Sequence, residues 1–452
     1  MRRRPAALAA CSAGALIVAM LTGAPLVSAQ TPAPAAAQPD PPAAAPAPPS
    51  LPPVTQRVTF REAVDLAIKQ NPTVLQAGQE ILRAQGFLGQ AKASALPSVS
   101  ASISNATLNT GVEFNGQVAQ PRNQTTLSVS LNALLFAPVQ WALRTQAADQ
   151  AQIAQISETE VAQQIAYTAA QAYLAVITRR LVHQANVTAR DTAKAQFDLA
   201  HAQRMGGAGS LLNELRAQQV LSTDETLVTQ SANAIYEAQE ALGVLIGAEH
   251  PVDTNGDPTL DTPMSVAQAT AAMPTTRPDL RLATARVAAA NRVYNDTWKE
   301  WLPSVSALFQ PQDIEPASFF QSARSWRLTF QGSIPIFDSG FRKAERAERL
   351  ALVNEAQLQQ QGLTRQAQSD VRAAQAAIAS AQQALQSAQA AADQARRVVQ
   401  IVEISFKAGA STNIEVVDAQ NASLAADTAV AQAEDQLRQA KLALLVALGQ
   451  FP

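Results

Sequence analysis

The chain has 452 residues and is nearly neutral, with 34 Lys and Arg against 36 Asp and Glu, so no basic stripe marks a nucleic-acid partner. Aromatics make up only 5%, and long tracts are written in Ala, Gln, Leu and Arg, all good helix formers. His183, His201 and His250 lack ligand spacing, and no nucleophile elbow, P-loop or GxGxxG sequence occurs, so nothing calls for a metal, a cofactor or catalysis.

In chain order, residues 1–29 read as a secretion signal. Arg2-Arg3-Arg4 form a positive start, Ala13 to Leu21 an apolar run, and Val27-Ser28-Ala29 a cleavage site before Gln30. Leu8-Ala9-Ala10-Cys11 looks like a lipobox, but the apolar run follows the cysteine instead of preceding it, which argues against a lipid on Cys11. Residues 30–57 are a Pro/Ala-rich linker, a composition that blocks helix and strand alike. No later stretch supplies the roughly 20 consecutive apolar residues of a membrane-spanning helix.

The rest reads as one plan written twice, over residues 58–260 and 261–452. LPSVSA begins at Leu96 and again at Leu302. Asn71-Pro72 answers Arg277-Pro278, RMGGAGSLLNELRAQ (204–218) answers FKAGASTNIEVVDAQ (406–420), and ALGVLIG (241–247) answers ALLVALG (443–449). Gly207 to Gly247 and Gly409 to Gly449 both span 40 positions, whereas Pro97 to Phe136 spans 39 and Pro303 to Phe337 only 34, which puts a short insertion in the first copy.

Each copy predicts a first helix (about Glu62–Ala95 and Pro278–Trp301) and a strand pair (97–137 and 303–337). A very long helix follows (about Val139–Arg204 and Gly340–Phe406), then a tip turn (206–210 and 409–412) and a shorter helix (about Ser210–Ile246 and Ser411–Leu448). Along the second long helix, Ala367, Val371, Ala374, Ile378, Ala381, Leu385, Ala388, Ala392, Ala395, Val399, Val402 and Phe406 alternate steps of four and three. That 3.5-residue repeat marks a left-handed coiled coil.

Thr126–Phe136 alternates Leu127, Val129, Leu131 and Leu135 with polar residues, and Ser325–Ile336 does so with Trp326, Leu328, Phe330 and Ile334. A half-buried strand of a soluble sheet has this period, and so does the wall of a transmembrane β-barrel. The helices are already committed to a coil, which favours the barrel. Four strands cannot close one, so the protomers must combine. A trimer would supply twelve strands around a pore. The expected fold is therefore mainly α with a transmembrane β-barrel: a duplicated, long α-helical coiled-coil barrel plus four β-strands per protomer.

This pattern resembles the TolC family of outer-membrane efflux proteins, through the duplicated plan, TFREAVDLAIKQNP (59–72), RPDL (277–280) and FKAGASTNIEVVDAQ. The resemblance implies a homotrimer spanning outer-membrane lipid, with a helical barrel reaching through the periplasm to an adaptor (membrane fusion) protein and an inner-membrane pump. It implies passage of small molecules or secreted protein without chemical change. It also places Glu415 and Asp418 at a periplasmic aperture, and Gly206, Gly207, Gly209, Ser210, Gly409, Ser411 and Thr412 at adaptor-docking tips. For Glu415 the local pattern offers an equal alternative, because Thr412-Asn413-Ile414-Glu415 is a capping box. Another class of protein, a periplasmic coiled-coil adaptor or tether without a pore, would share the helices but insert no strands.

Overall fold

The computed structural model describes residues 56–261 and 264–451; the signal segment with Cys11, Ala29 and Gln30, and nearly all of the linker, lie outside the described residues. The first copy holds β1 (Gln56–Val58), α1 (Phe60–Gln70), α2 (Pro72–Ala93), β2 (Ser98–Thr107), β3 (Val112–Phe114), β4 (Gln117–Gln120), β5 (Asn123–Phe136), α3 (Pro138–Met205) and α4 (Leu211–Ile246). β6 (Val252–Thr254) closes the first copy, and the second holds α5 (Val266–Thr276), α6 (Pro278–Asp296), a 3₁₀ turn at Thr297–Trp301, β7 (Ser304–Glu315), β8 (Arg324–Ser333), α7 (Phe341–Lys407) and α8 (Asn413–Ala447).

Three elements depart from the sequence reading. The expected first helix of the first copy is two helices, broken at Asn71-Pro72. Proline lacks the N–H that would continue α1, and Asn71 turns the chain by accepting at its side chain from Thr73 N at 2.9 Å. The second copy breaks in the same way at Arg277-Pro278, so α5 precedes the expected helix there. Finally, β8 stops at Ser333, short of Ile336, because Pro335 has no N–H for the ladder. The insertion in the first copy is the β3–β4 hairpin, turned at Asn115 and Gly116 with positive φ at both.

The long helices carry the fold. α3 packs against α1, α2, α4, α6 and α8, and α7 against α6 and α8. All twelve positions of the 3.5-residue repeat on α7 are buried or half-buried, and alanines such as Ala367 and Ala392 let the helices approach closely. Midway along the coil sits the main core: Tyr173 and Leu174 of α3, Leu242 and Ile246 of α4, Leu442 of α8, and Val64 and Ala67 of α1. The Tyr173 hydroxyl donates to the carbonyls of Asn255 and Gly256, each at 2.9 Å, tying the core to the inter-copy connection beside the small parallel pair β1–β6.

The main sheet is antiparallel in the order β2-β5-β7-β8. Its register aligns Val99, Leu131, Phe309 and Leu328 in one row across all four strands. Ala101, Val129, Pro311 and Trp326 form the next row, and Ile103, Leu127, Asp313 and Arg324 a third. The alternate face carries Ser98, Ser100, Ser102 and Ser104 opposite Asn132, Ser130, Ser128 and Thr126. One face is therefore apolar across the sheet, closed at one end by the Asp313–Arg324 ion pair at 3.4 Å. β2 and β8 are edge strands whose residues are all exposed.

Candidate functional site: the helical tips and the four-strand sheet

The far end of the coil is built from two helix–turn–helix tips. α3 ends where Gly207 takes φ +76°, and α7 ends two residues before Gly409 with φ +73°, the left-handed conformation that a side chain disfavours. Gly206 is the C-cap residue of α3, and Gly209 packs so closely that a Cβ would lie 2.8 Å from Arg204 N. Ser210 and Thr412 then cap α4 and α8, accepting from Asn213 N at 3.3 Å and Glu415 N at 3.4 Å. The Glu415 carboxylate reaches back to Thr412 N at 2.9 Å, completing the capping box. Ser411 donates to the Val402 carbonyl at 3.2 Å and ties its turn to α7. Asp418 lies one turn beyond Glu415 on α8, exposed and without a hydrogen bond or ion pair among the described residues.

Several tip residues give no signal in the sequence. Asn413 is buried where the tips meet: it donates to the Asn213 carbonyl at 3.3 Å and accepts from Gln196 at 3.0 Å. Glu214 is buried against His201 (2.6 Å) and the Arg204 guanidinium. The hydrogen bond from His201, with help from Arg204, holds the Glu214 carboxyl below the usual carboxylate range. Met205, Leu211, Leu212 and Leu215 are exposed around the first tip and Ile404 and Ile414 around the second, leaving an apolar end surface on the protomer.

At the other end, aromatic residues gather where sheet meets coil. Phe136 stacks edge-on against Trp141 at 5.5 Å, the Arg342 guanidinium lies 4.0 Å over the Trp301 ring, and Trp298, Phe337 and Phe341 are exposed beside them. Among the described residues no helix is long and apolar enough to cross a membrane, and no group of three or more His, Cys, Asp or Glu could hold a metal ion.

A duplicated helical coil carrying a four-strand sheet is a fold that this chain shares with solved bacterial membrane proteins. It superposes on a membrane protein of Pseudomonas aeruginosa with TM-score 0.75 at 19% identity, covering 87% of this chain and 90% of that one. It superposes on the CmeC outer membrane channel of Campylobacter jejuni at 0.74 and 16%, covering 87% and 86%. For the outer membrane protein VceC of Vibrio cholerae the values are 0.71 and 18%, covering 86% and 96%. No curated protein sequence matches the chain. Residues 274–450 match the family model described as outer membrane efflux protein, the family that the motifs resemble.

Proposed function

We propose that the protein is the outer-membrane channel subunit of a tripartite efflux or export system, a homotrimer that conducts small molecules or secreted protein from periplasm to exterior. The observation that carries this reading is the sheet: four strands, apolar on one face, with β2 and β8 unpaired. Lipid tolerates no open edge. Pairing β8 of one protomer with β2 of the next satisfies both edges, and three copies give twelve strands with lipid outside and the serine-lined face around a pore. The aromatic cluster then lies at the periplasmic interface of the outer membrane, where Trp residues are favoured, and the coil extends into the periplasm.

On this reading Asp418 lines the periplasmic aperture, three carboxylates facing one another. Glu415 already serves its own helix start and contributes there only in addition. The glycine turns and exposed tip leucines are where a periplasmic adaptor docks, beneath which the inner-membrane pump would sit. An adaptor or tether without a pore would have no use for a continuous apolar sheet face. Cross-linking in native membranes tests the assembly. A ladder ending at three, with heat-modifiable migration of the extracted oligomer, is expected. A ladder ending at two would remove the twelve-strand barrel.

A further inference from the structure

The serine face of β2 and β5 continues across β7 and β8, where Leu308 stands opposite Thr329, Gln310 opposite Arg327 and Gln312 opposite Ser325. Arg327 is the one charged residue that the register places on this face of the four strands. It is exposed, and its guanidinium makes no hydrogen bond or ion pair among the described residues. The other charges of the sheet lie elsewhere: Asp313 and Arg324 pair with each other in the apolar rows, and Glu315 falls on that same face, opposite Thr125. Glu113 and Arg122 lie on the β2–β5 connection and balance in sum, and residues 316–323 carry no charge.

We propose that Arg327 is a specificity-determining residue of the pore, a docking point for the oxyanion groups (carboxylate, phosphate or sulfate) of the solutes that pass. This rests on the trimeric channel proposed above, in which the serine face surrounds water. A guanidinium presents a planar fork of donors that matches an oxyanion two bonds at a time. Arg324, on the other face, is paired across the strands with Asp313. Arg327 has no such partner among the described residues, so its donors and its charge stay available to a solute.

Its place on an edge strand supplies the rest of the site. β8 is unpaired on one side, so closing the barrel sets Arg327 between Gln310 of its own β7 and the serine row of the next copy's β2. An amide and hydroxyls then flank the guanidinium, all able to donate to the oxyanion it attracts. Three copies put three such arginines at one height, and rings of arginine select anions in pores. Arg327 lies three residues from the start of β8, about 10 Å along the strand, so the ring sits toward the end of the barrel away from the coil. No carboxylate on this face of the four strands cancels its field, which reaches one Debye length, about 8 Å at physiological ionic strength.

The test is single-channel recording of the purified full-length protein in planar bilayers, with sodium tripolyphosphate as the anionic probe. Tripolyphosphate should block wild-type channels, and the block should weaken several-fold as potassium chloride rises from about 0.1 M to about 1 M and the Debye length shrinks. Arg327→Gln should raise the half-blocking concentration several-fold while the extracted oligomer keeps its heat-modifiable migration, because the side chain it removes holds nothing in the sheet. Arg327→Lys keeps the charge but not the fork, and its half-blocking concentration should fall between those of wild type and Arg327→Gln. Conducting channels in which Arg327→Gln is blocked at the wild-type concentration, or wild-type channels that tripolyphosphate does not block, would overturn the role of Arg327 and leave the channel standing. Wild-type protein that forms no conducting channel would overturn the channel reading and this role with it.

Discussion

Asn71 and Arg277, at matching positions in the two copies, make the same long-range bond with different chemistry. Asn71 Nδ2 donates to the Leu245 carbonyl at 3.0 Å, and Arg277 donates to the Ala447 carbonyl at 3.1 Å. Each acceptor lies in the last turn of a helix, α4 or α8, where carbonyls have no intrahelical partner. Each donor lies at the proline break between two helices. The duplicated landmark Asn-Pro/Arg-Pro is thus a clamp that holds a broken helix to the end of its own copy's last helix.

Removing that clamp has a calculable cost. Asn71 is buried, and Asn71→Ala deletes both the cap to Thr73 and the bond to Leu245, leaving a carbonyl unpartnered. A loss of about 2 kcal/mol is expected, seen as a lower unfolding midpoint of the full-length protein. Asn71→Asp keeps the cap but not the donor and should fall between the two. An unchanged midpoint in Asn71→Ala would show that the break is held by packing alone.

The two faces of the sheet should respond oppositely to charge. Val129 lies mid-strand in the apolar rows, and Ser130, its neighbour, lies on the serine face. If the apolar face meets lipid, Val129→Arg costs roughly 2–4 kcal/mol at mid-bilayer and should deplete the protein from the outer-membrane fraction. Ser130→Arg should insert normally. Equal depletion, or none, in both variants would contradict the assignment of faces.

Much of this was legible in the chain, for physical reasons. The α7 seam is local: a 3.5-residue repeat fixes which face packs whatever the partner, and the structure buries that face. Strand alternation likewise named Leu127, Val129 and Leu131 as one face. The break inside the first copy's first helix is the part that periodicity misses, because Asn71-Pro72 is a stop and a cap at once, whereas the second copy's helix starts at Pro278 as its pattern predicts. Asp224, Asn413 and Glu214 left no trace in the pattern. Each is a single polar residue in an Ala/Gln/Leu-rich helix, and its burial depends on which neighbouring helix lies over it.

Glu214 makes the first tip sensitive to acid. Its carboxyl is held below the ordinary glutamate value of about 4.3 by the His201 hydrogen bond and by Arg204. A depressed carboxylate stabilises the fold fully above its unfolded pKa, and that contribution is lost as pH falls through the lower, folded value. Amide hydrogen exchange over residues 206–214, corrected for intrinsic rates, should therefore show constant protection from pH 7 to 5 and lower protection below about pH 4. Glu214→Gln should show the weaker protection at every pH. A wild-type tip equally protected at pH 3 and pH 6 would mean the buried contact contributes nothing.

The aperture can be tested by charge alone. Asp418 is exposed and unpaired among the described residues, one turn past a helix start that Thr412 and Glu415 already satisfy, so folding makes no demand on its charge. In a trimer, a cation passing about 6 Å from each of three such carboxylates would gain about 3 kcal/mol from each at an effective dielectric near 20. A ring of this kind favours cations and holds multivalent ones long enough to block. Asp418→Asn keeps the shape and removes all three charges. Single channels in planar bilayers should then show reduced cation preference and weaker divalent block, with an unchanged unfolding midpoint. Glu415→Gln is the counterpart: glutamine still completes the capping box, so a modest fall in stability with little change in selectivity is expected. Wild-type selectivity and block in Asp418→Asn would make Asp418 an ordinary solvated helix residue and move the aperture elsewhere on α8.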